Sequence, residues 1–310
     1  MEIIVLGAGA IGSLYGARLA GANEVTLVGR ADHVAAINKQ GLRIEGIEPQ
    51  VVRIRATTAI EHVGANALLL LTTKISGSSE ALAPIAQLVR DDTTIVCLQN
   101  GLDSERIART ALNNRGVVLR GITQFGAIFT KPGVIHHMAP GYTLLEQHPR
   151  SENIARVLTA AGLDGRISSD IARDIWHKLI FNCVVNPITA ILGCEVGGIA
   201  DARLHQLKAL VIDECLAVAR TQSLTFELDL MREIDDIFKP SRNIASMLQD
   251  LRRGHATEID HLNGAVAALG AQHGVPCPVN HALTTIIKAM ETRSLSLFPE
   301  KMLEPKPAQS

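Results

Sequence analysis

Two hydrophobic periods alternate along the first half of the chain. Short apolar runs at 2–6, 24–28, 68–71, 94–98 and 117–121 are bounded by turn residues and suit buried strands. Between them, 10–22, 31–40 and stretches near 79–89 and 103–112 repeat apolar residues at helical spacing. This rhythm implies a largely parallel sheet covered on both faces. Residues 122–147 change character: Gly, Pro and Thr punctuate short β-like runs, which predicts a hairpin layer completing the sheet. From about Ser169 the strand signals stop. Helical patterns follow at 170–192, 199–222, 242–252, 258–273 and 279–292. The expectation is an α/β unit over 1–168 with a mostly parallel sheet, then an all-α unit over 169–310. The boundary falls near 165–170, and the tail from Ser296, with Pro299, Pro305 and Pro307, is expected to be loose.

Length agrees with this division, because 310 residues exceed one ordinary core. A 47% hydrophobic content indicates a folded protein. Lys plus Arg (30) nearly balance Asp plus Glu (31), which argues against a general nucleic-acid binder. The start, Met1-Glu2-Ile3-Ile4-Val5, has no basic leader, and Gly7 breaks the apolar run, so no signal peptide is expected. Apolar runs such as 67–71 are too short to span a bilayer. The five cysteines, Cys97, Cys183, Cys194, Cys215 and Cys277, form no CxxC pair. They suit buried reduced thiols in a cytoplasmic protein better than disulfides or a metal site.

The first candidate chemistry is Gly7-Ala8-Gly9-Ala10-Ile11-Gly12, directly after the first strand and opening the first helix. Gly7 permits a tight turn, Gly9 lets a pyrophosphate approach the backbone, and Gly12 lets helix and strand pack closely. The helix N-terminus would offer free N–H groups to phosphates. Such a loop is a weak signal alone, but here it sits in a Rossmann context. An NAD site wants a carboxylate at the end of the second strand. Here that strand runs into Gly29-Arg30, and a guanidinium can grip a ribose 2′-phosphate in a fork. NADPH/NADP is therefore the expected cofactor. Elsewhere, Arg30 would read as a solvated surface arginine. Thr72-Thr73-Lys74 and Gln99-Asn100-Gly101 also follow strand ends, where open α/β sheets bind ligands. Alone, Lys74 would be a surface lysine and Asn100-Gly101 only a turn.

The most informative segment is 176–187, Trp176-His177-Lys178-Leu179-Ile180-Phe181-Asn182-Cys183-Val184-Val185-Asn186-Pro187. It is strongly apolar, yet Lys178, Asn182 and Asn186 are spaced four apart and share one stripe. Such groups are costly on a buried helix unless they meet each other or a ligand. The competing view is a polar stripe between helices with structural water. Pro187 should bend the helix or free the carbonyl of Cys183. His177 points elsewhere on the helix and is not expected to be a catalyst. A second cluster holds Ser246 and the run 256–264. Glu258 falls where a helix begins and could be a capping acid. Asp260 and Asn263 could likewise be structural.

Taken together these residues resemble the ketopantoate reductase (2-dehydropantoate 2-reductase) family. The residues concerned are Gly7–Gly12, Arg30, Lys74, Gln99-Asn100-Gly101, Lys178, Asn182, Asn186-Pro187, Ser246, Thr257-Glu258-Ile259-Asp260 and the run 274–280. The resemblance reaches about residue 293. It implies an N-terminal Rossmann domain, a helical C-terminal domain and a cleft site between them. It also implies a 2-oxo acid substrate and a place in pantothenate and coenzyme A synthesis. By resemblance Lys178 is the general acid, and Glu258 holds it or the substrate's hydroxyl, beside the cofactor. Asn182, Asn186 and Ser246 bind substrate, and Lys74 and Asn100 line the cofactor and hinge side, Asn100 also reaching substrate. One departure stands out: Glu195-Val196-Gly197-Gly198 lies where the family often has an asparagine. One substrate-side amide is missing, with Val196 in its place. No metal, nucleic-acid or membrane partner is expected, and a homodimer is the candidate assembly. The rivals are a related two-domain dehydrogenase of another hydroxy acid or an opine, and a non-catalytic NADPH-binding regulator.

Overall fold

A computed structural model describes residues 1–227 and 229–292. The tail from Ser296 lies outside the described residues. The chain divides into two compact units, the first Met1–Ile175 and the second beginning at Trp176.

The first unit is α/β. Its elements are β1 (Glu2–Leu6), α1 (Ala10–Leu19), β2 (Glu24–Val28), α2 (Ala31–Gln40), β3 (Leu42–Gly46), β4 (Gln50–Val52), β5 (Arg55–Thr57) and β6 (Leu68–Leu71). Then come α3 (Ser78–Leu82), β7 (Thr94–Cys97), α4 (Ser104–Ala111), β8 (Val117–Thr123), β9 (Gly126–Lys131), β10 (Val134–Ala139), β11 (Thr143–Leu145), α5 (Ser151–Ala160) and β12 (Gly165–Ile167). The main sheet has the order β12-β11-β8-β7-β6-β1-β2-β5. From β8 to β5 every pairing is parallel. In β1, Ile3 and Val5 enter the core on one face while Ile4 and Leu6 enter the core on the other. That is the pattern of a strand buried on both sides. The chain leaves β1 toward β2 and β5, then returns to place β6 on the other side, so the order reverses at β1/β6.

The hairpin layer expected to complete the sheet is divided. Only β11 joins the main sheet, antiparallel to β8, with β12 beyond it. The β9–β10 hairpin joins β3 and β4 in a separate four-stranded sheet. The strands β3 and β4 are too short and too mixed in polarity to stand out, and they join β9 and β10 only through the distant pairing of β3 with β10. This second sheet packs over α1, where Tyr15 meets Phe125 edge-on and bonds Thr143 Oγ1 at 2.6 Å. The helix expected near 79–89 is only α3, followed by a 3-10 turn at Ala83–Ile85. Pro84 lacks the N–H that a continuing helix would use.

The second unit is helical: α6 (Ile171–Leu192, whose residues from 176 belong here), α7 (His205–Thr221), α8 (Leu230–Phe238), α9 (Ser246–Arg252), α10 (Asn263–Gln272) and α11 (Pro278–Glu291). The helix α8 had no counterpart in the sequence pattern. Two expected helices start late, with 3-10 turns at Val196–Ala200, Ala202–Leu204 and Ile259–His261 replacing their first residues. By length and composition α6 could cross a membrane, but 72% of its most apolar window is buried, as in a core helix. All five cysteines are unpaired thiols, and only Cys194 is not buried.

Candidate active site

Four neighbouring strands of the first unit end level with one another: Leu71 pairs with Cys97 and with Leu6, and Leu6 pairs with Val28. Their C-terminal edge therefore presents, in spatial order, the turn with Asn100, the loop with Lys74, the glycine loop, and Arg30. This is the edge, at the reversal of strand order, where open α/β sheets take ligands.

The glycine loop is held by the second strand, since the Gly7 and Ala8 amides both donate to Val28 O, at 3.0 and 2.8 Å. Gly7 has φ +113°, and a Cβ there would lie 2.4 Å from Thr73 N. At Gly12 a Cβ would fall 2.2 Å from Gly7 O and 2.5 Å from Thr72 Oγ1, so helix and loop could not meet. Gly9 differs: it is exposed, and its Cβ would meet nothing closer than Gly7 O at 4.0 Å. Backbone at Gly9 is open to a ligand, while Gly7 and Gly12 are closed against protein. Gly9 caps α1 without a side chain, and no acid occupies the first turn, which leaves Ala10 and Ile11 at a positive helix end. These residues fit the pyrophosphate of a dinucleotide.

Arg30 is the N-cap of α2, exposed, with its guanidinium 5.9 Å from the ring centroid of Phe129. Among the described residues it has no carboxylate partner, so its charge is available to an anion. Lys74 is exposed at the start of a 3-10 turn, and Asn100 is half-buried. A buried network joins their loops: the Gln99 side-chain amide donates to Thr73 O (2.8 Å), Thr73 Oγ1 (3.0 Å) and Ser78 Oγ (2.6 Å). Sequence reasoning treated Gln99 only as a turn neighbour.

In the second unit, Trp176, Leu179, Ile180, Cys183 and Val184 bury α6, while Lys178 and Asn182 are half-buried and Asn186 is 8% exposed. No hydrogen bond of the Asn182 or Asn186 side chain occurs among the described residues. Pro187 cannot donate to Cys183 O, and Asn263 Nδ2 takes that place at 2.9 Å. Asn263 also bonds Asn280 Oδ1 at 2.9 Å. Asn280 in turn donates its side-chain amide to Glu214, which accepts the Val279 and Asn280 backbone amides as well. Asn263 thus anchors the segment that carries Glu258 to α6, between Asn182 and Asn186.

Glu258 is half-buried just before the 3-10 turn and gives it no side-chain cap. Thr257 does that instead: its Oγ1 accepts from Ile259 N at 3.2 Å and donates to Glu291. The capping alternative for Glu258 is therefore not what the fold uses. Asp260 is spent on an ion pair with Lys288. His177 Nε2 lies 3.1 Å from Glu233 and its ring stacks on Phe181, away from the stripe. Ser246 is exposed at the first position of α9. Val196 is buried, and its amide donates to Asn243 O at 2.8 Å, so this segment is tied to the loop before α9. Among the described residues, no group of three or more His, Cys, Asp or Glu gathers to hold a metal.

A Rossmann-type unit with an open glycine loop, followed by a helical unit with a lysine–amide stripe, defines the class of two-domain oxidoreductases. The sequence matches the family models described as Ketopantoate reductase PanE/ApbA, over residues 3–150, and Ketopantoate reductase PanE/ApbA C terminal, over 170–291. The chain belongs to the ketopantoate reductase family. It is 36% identical to a 2-dehydropantoate 2-reductase of Pyrococcus horikoshii, over 94% of this chain and 98% of that one. It is 31% identical to one of Archaeoglobus fulgidus with the same coverage. Among solved structures, the PanE/ApbA family ketopantoate reductase from Ralstonia eutropha has a TM-score of 0.88 at 30% identity, covering 95% of this chain and 99% of that one. A D-mandelate dehydrogenase with NADH and anilino(oxo)acetate has a TM-score of 0.88 at 27% identity, covering 94% and 99%.

Proposed function

We propose that this enzyme reduces 2-dehydropantoate to pantoate with NADPH, in the cytoplasm, as a step of pantothenate and coenzyme A synthesis. The observation that carries the reading is the pair of unspent amides, Asn182 and Asn186, in line with Lys178 on a helix whose other polar contacts are satisfied. Bound NADPH supplies a hydride from nicotinamide C4 to the ketone carbon. Lys178 carries a proton on Nζ and delivers it to the carbonyl oxygen as that oxygen gains charge. Glu258 holds the Lys178 ammonium or the new hydroxyl. Asn182, Asn186 and Ser246 hold the rest of the 2-oxo acid, so its ketone is oriented before reaction. Asn100 and Lys74 serve the cofactor, Asn100 reaching substrate as well. Arg30 selects NADPH, although the mandelate dehydrogenase neighbours carry NADH. The homodimer is proposed with this reading and is measured by light scattering.

A different 2-oxo acid is the second reading, favoured by Val196 where the family often has an amide. Oxidation of NADPH with a panel of 2-oxo acids separates the two. Fastest turnover of ketopantoate supports the first, a bulkier acid the second, and no turnover with any acid removes both.

A further inference from the structure

We infer that Arg120 is a positioning residue for this site: its guanidinium fixes the turn that carries Asn100 and, through Gln99, the loop that carries Lys74. The inference rests on the reading of Asn100 and Lys74 given above. Arg120 lies on β8 opposite Cys97, the last residue of β7, and is 2% exposed. Its Nη2 donates to Gln99 O at 3.0 Å and to Gly101 O at 2.7 Å, and its Nη1 donates to Glu105 at 3.2 Å. The two carbonyls bracket Asn100. Gly101 has φ +90°, so the turn is sharp, and holding the carbonyl on each side fixes where the Asn100 side chain emerges. The same Gln99 whose carbonyl is held uses its side chain to hold Thr73, the residue before Lys74. Ser104 Oγ, from the start of α4, closes the network on Gln99 Oε1.

The placement has a cost. Arg120 Nε is buried with no partner among the described residues. The side chain is therefore set to deliver its Nη atoms to the turn rather than to satisfy all its own donors. Lysine could not replace it, because one ammonium cannot span two carbonyls and a carboxylate in a flat fork. The opposite end of the same strand supplies a comparison. There Arg150 Nη1 bonds Asp92 O (2.9 Å), Thr93 O (3.4 Å) and Thr94 Oγ1 (3.0 Å). Arg150 braces the end of β7 that carries no candidate site residue.

The test sets Arg120→Lys beside Arg150→Lys in the full chain, measuring melting temperature, kcat and KM for ketopantoate, and Kd for NADPH by fluorescence. Both variants should lose thermal stability. Arg120→Lys alone should lower kcat/KM about tenfold or more, as expected when a site residue is displaced by a fraction of an ångström. It should also weaken NADPH several-fold, and this arm holds whichever 2-oxo acid is the substrate. Placed on a background with both Asn100→Ala and Lys74→Ala, Arg120→Lys should cost little further activity, because its effect passes through those two residues. Equal losses in both arginine variants, or losses that multiply with that double substitution, would overturn the inference. Should Arg120→Lys not fold, Glu105→Gln loosens the guanidinium while keeping one acceptor. It should raise Kd for NADPH about threefold, and an unchanged Kd there would equally overturn it.

Discussion

Two sets of amides meet on α6, and they are used in opposite ways. Asn263 and Asn280 are fully buried, and their amides bond one another, Glu214 and the carbonyl freed by Pro187, although Asn263 Oδ1 has no partner among the described residues. Asn182 and Asn186 lie one residue before that carbonyl and three after it, and among the described residues their side chains bond nothing. The same residue type has been spent on the fold in one set and left for a ligand in the other. Burial and polarity alone do not separate a site from a scaffold; the hydrogen-bond account does. The first unit repeats the contrast three residues apart. Arg30 is exposed and has no carboxylate partner among the described residues. His33 is 1% exposed, accepting Gly133 N–H on Nδ1 at 2.8 Å and meeting Ser13 Oγ through Nε2 at 3.1 Å.

The largest expected effect tests the ligand side of this contrast. Lys178→Ala should lower kcat by on the order of a hundredfold or more, the usual cost of losing a general acid. Its melting temperature and NADPH affinity should stay near wild type. A folded Lys178→Ala protein with near-normal turnover would move Lys178 to the scaffold side. Next, Arg30→Ala should weaken NADPH roughly ten- to a hundredfold, the equivalent of one charge-assisted contact of about 1.5–3 kcal/mol. NADH binding should hardly change, and equal losses for both cofactors would show that Arg30 does not read the phosphate.

The amides themselves give the third test. Asn182→Ala should raise KM for ketopantoate about tenfold, with a smaller change in kcat and a normal melting temperature. Asn263→Ala should do the reverse. It leaves the Cys183 carbonyl without its donor in a buried place, at a cost of about 1–3 kcal/mol, or several degrees of melting temperature. Its KM should move much less than that of Asn182→Ala, because Asn263 touches no substrate and acts only through the segment it anchors. If the two variants behave alike, the distinction drawn on α6 is wrong.

How much of this was legible in the sequence follows from how local each signal is. The glycine loop, Arg30 and the i, i+4 stripe are set by residues close in sequence, and the chain order places them. The vacancy that Pro187 leaves at Cys183 was equally readable, because one residue's missing N–H defines it. What fills it was not, since Asn263 is 80 residues away and reads as a motif asparagine. Arg120 was invisible for the same reason: within β8 it interrupts an apolar strand, and only the fold shows that it reaches the turn after β7. The second sheet failed at the same point, its two halves being brought together by long-range pairing that no local pattern encodes.

The smallest expected effect tests the scaffold side in the first unit. His33 is needed in its neutral form, because Nδ1 accepts the Gly133 N–H, and protonation would remove that acceptor. Burial, the largest cause, and the nearby Arg30 charge lower its pKa from the usual 6.5, with Asp32 opposing them. Between the folded value and 6.5 the unfolded chain binds more protons than the folded one, so stability falls as pH drops through 6.5 and levels off below the folded value. Besides the Arg30 and Asp32 charges, the ring meets Ser13, Phe129 and the Gly133 amide among the described residues, and these three are uncharged. Melting curves from pH 7.5 to 5 should therefore show a shallow decline that His33→Gln flattens, since an amide can accept from Gly133 and donate to Ser13 at any of these values. The measured quantity is the difference between the two curves. Parallel curves would show that His33 is not held neutral by the fold, and that its place among the spent polar groups was misjudged.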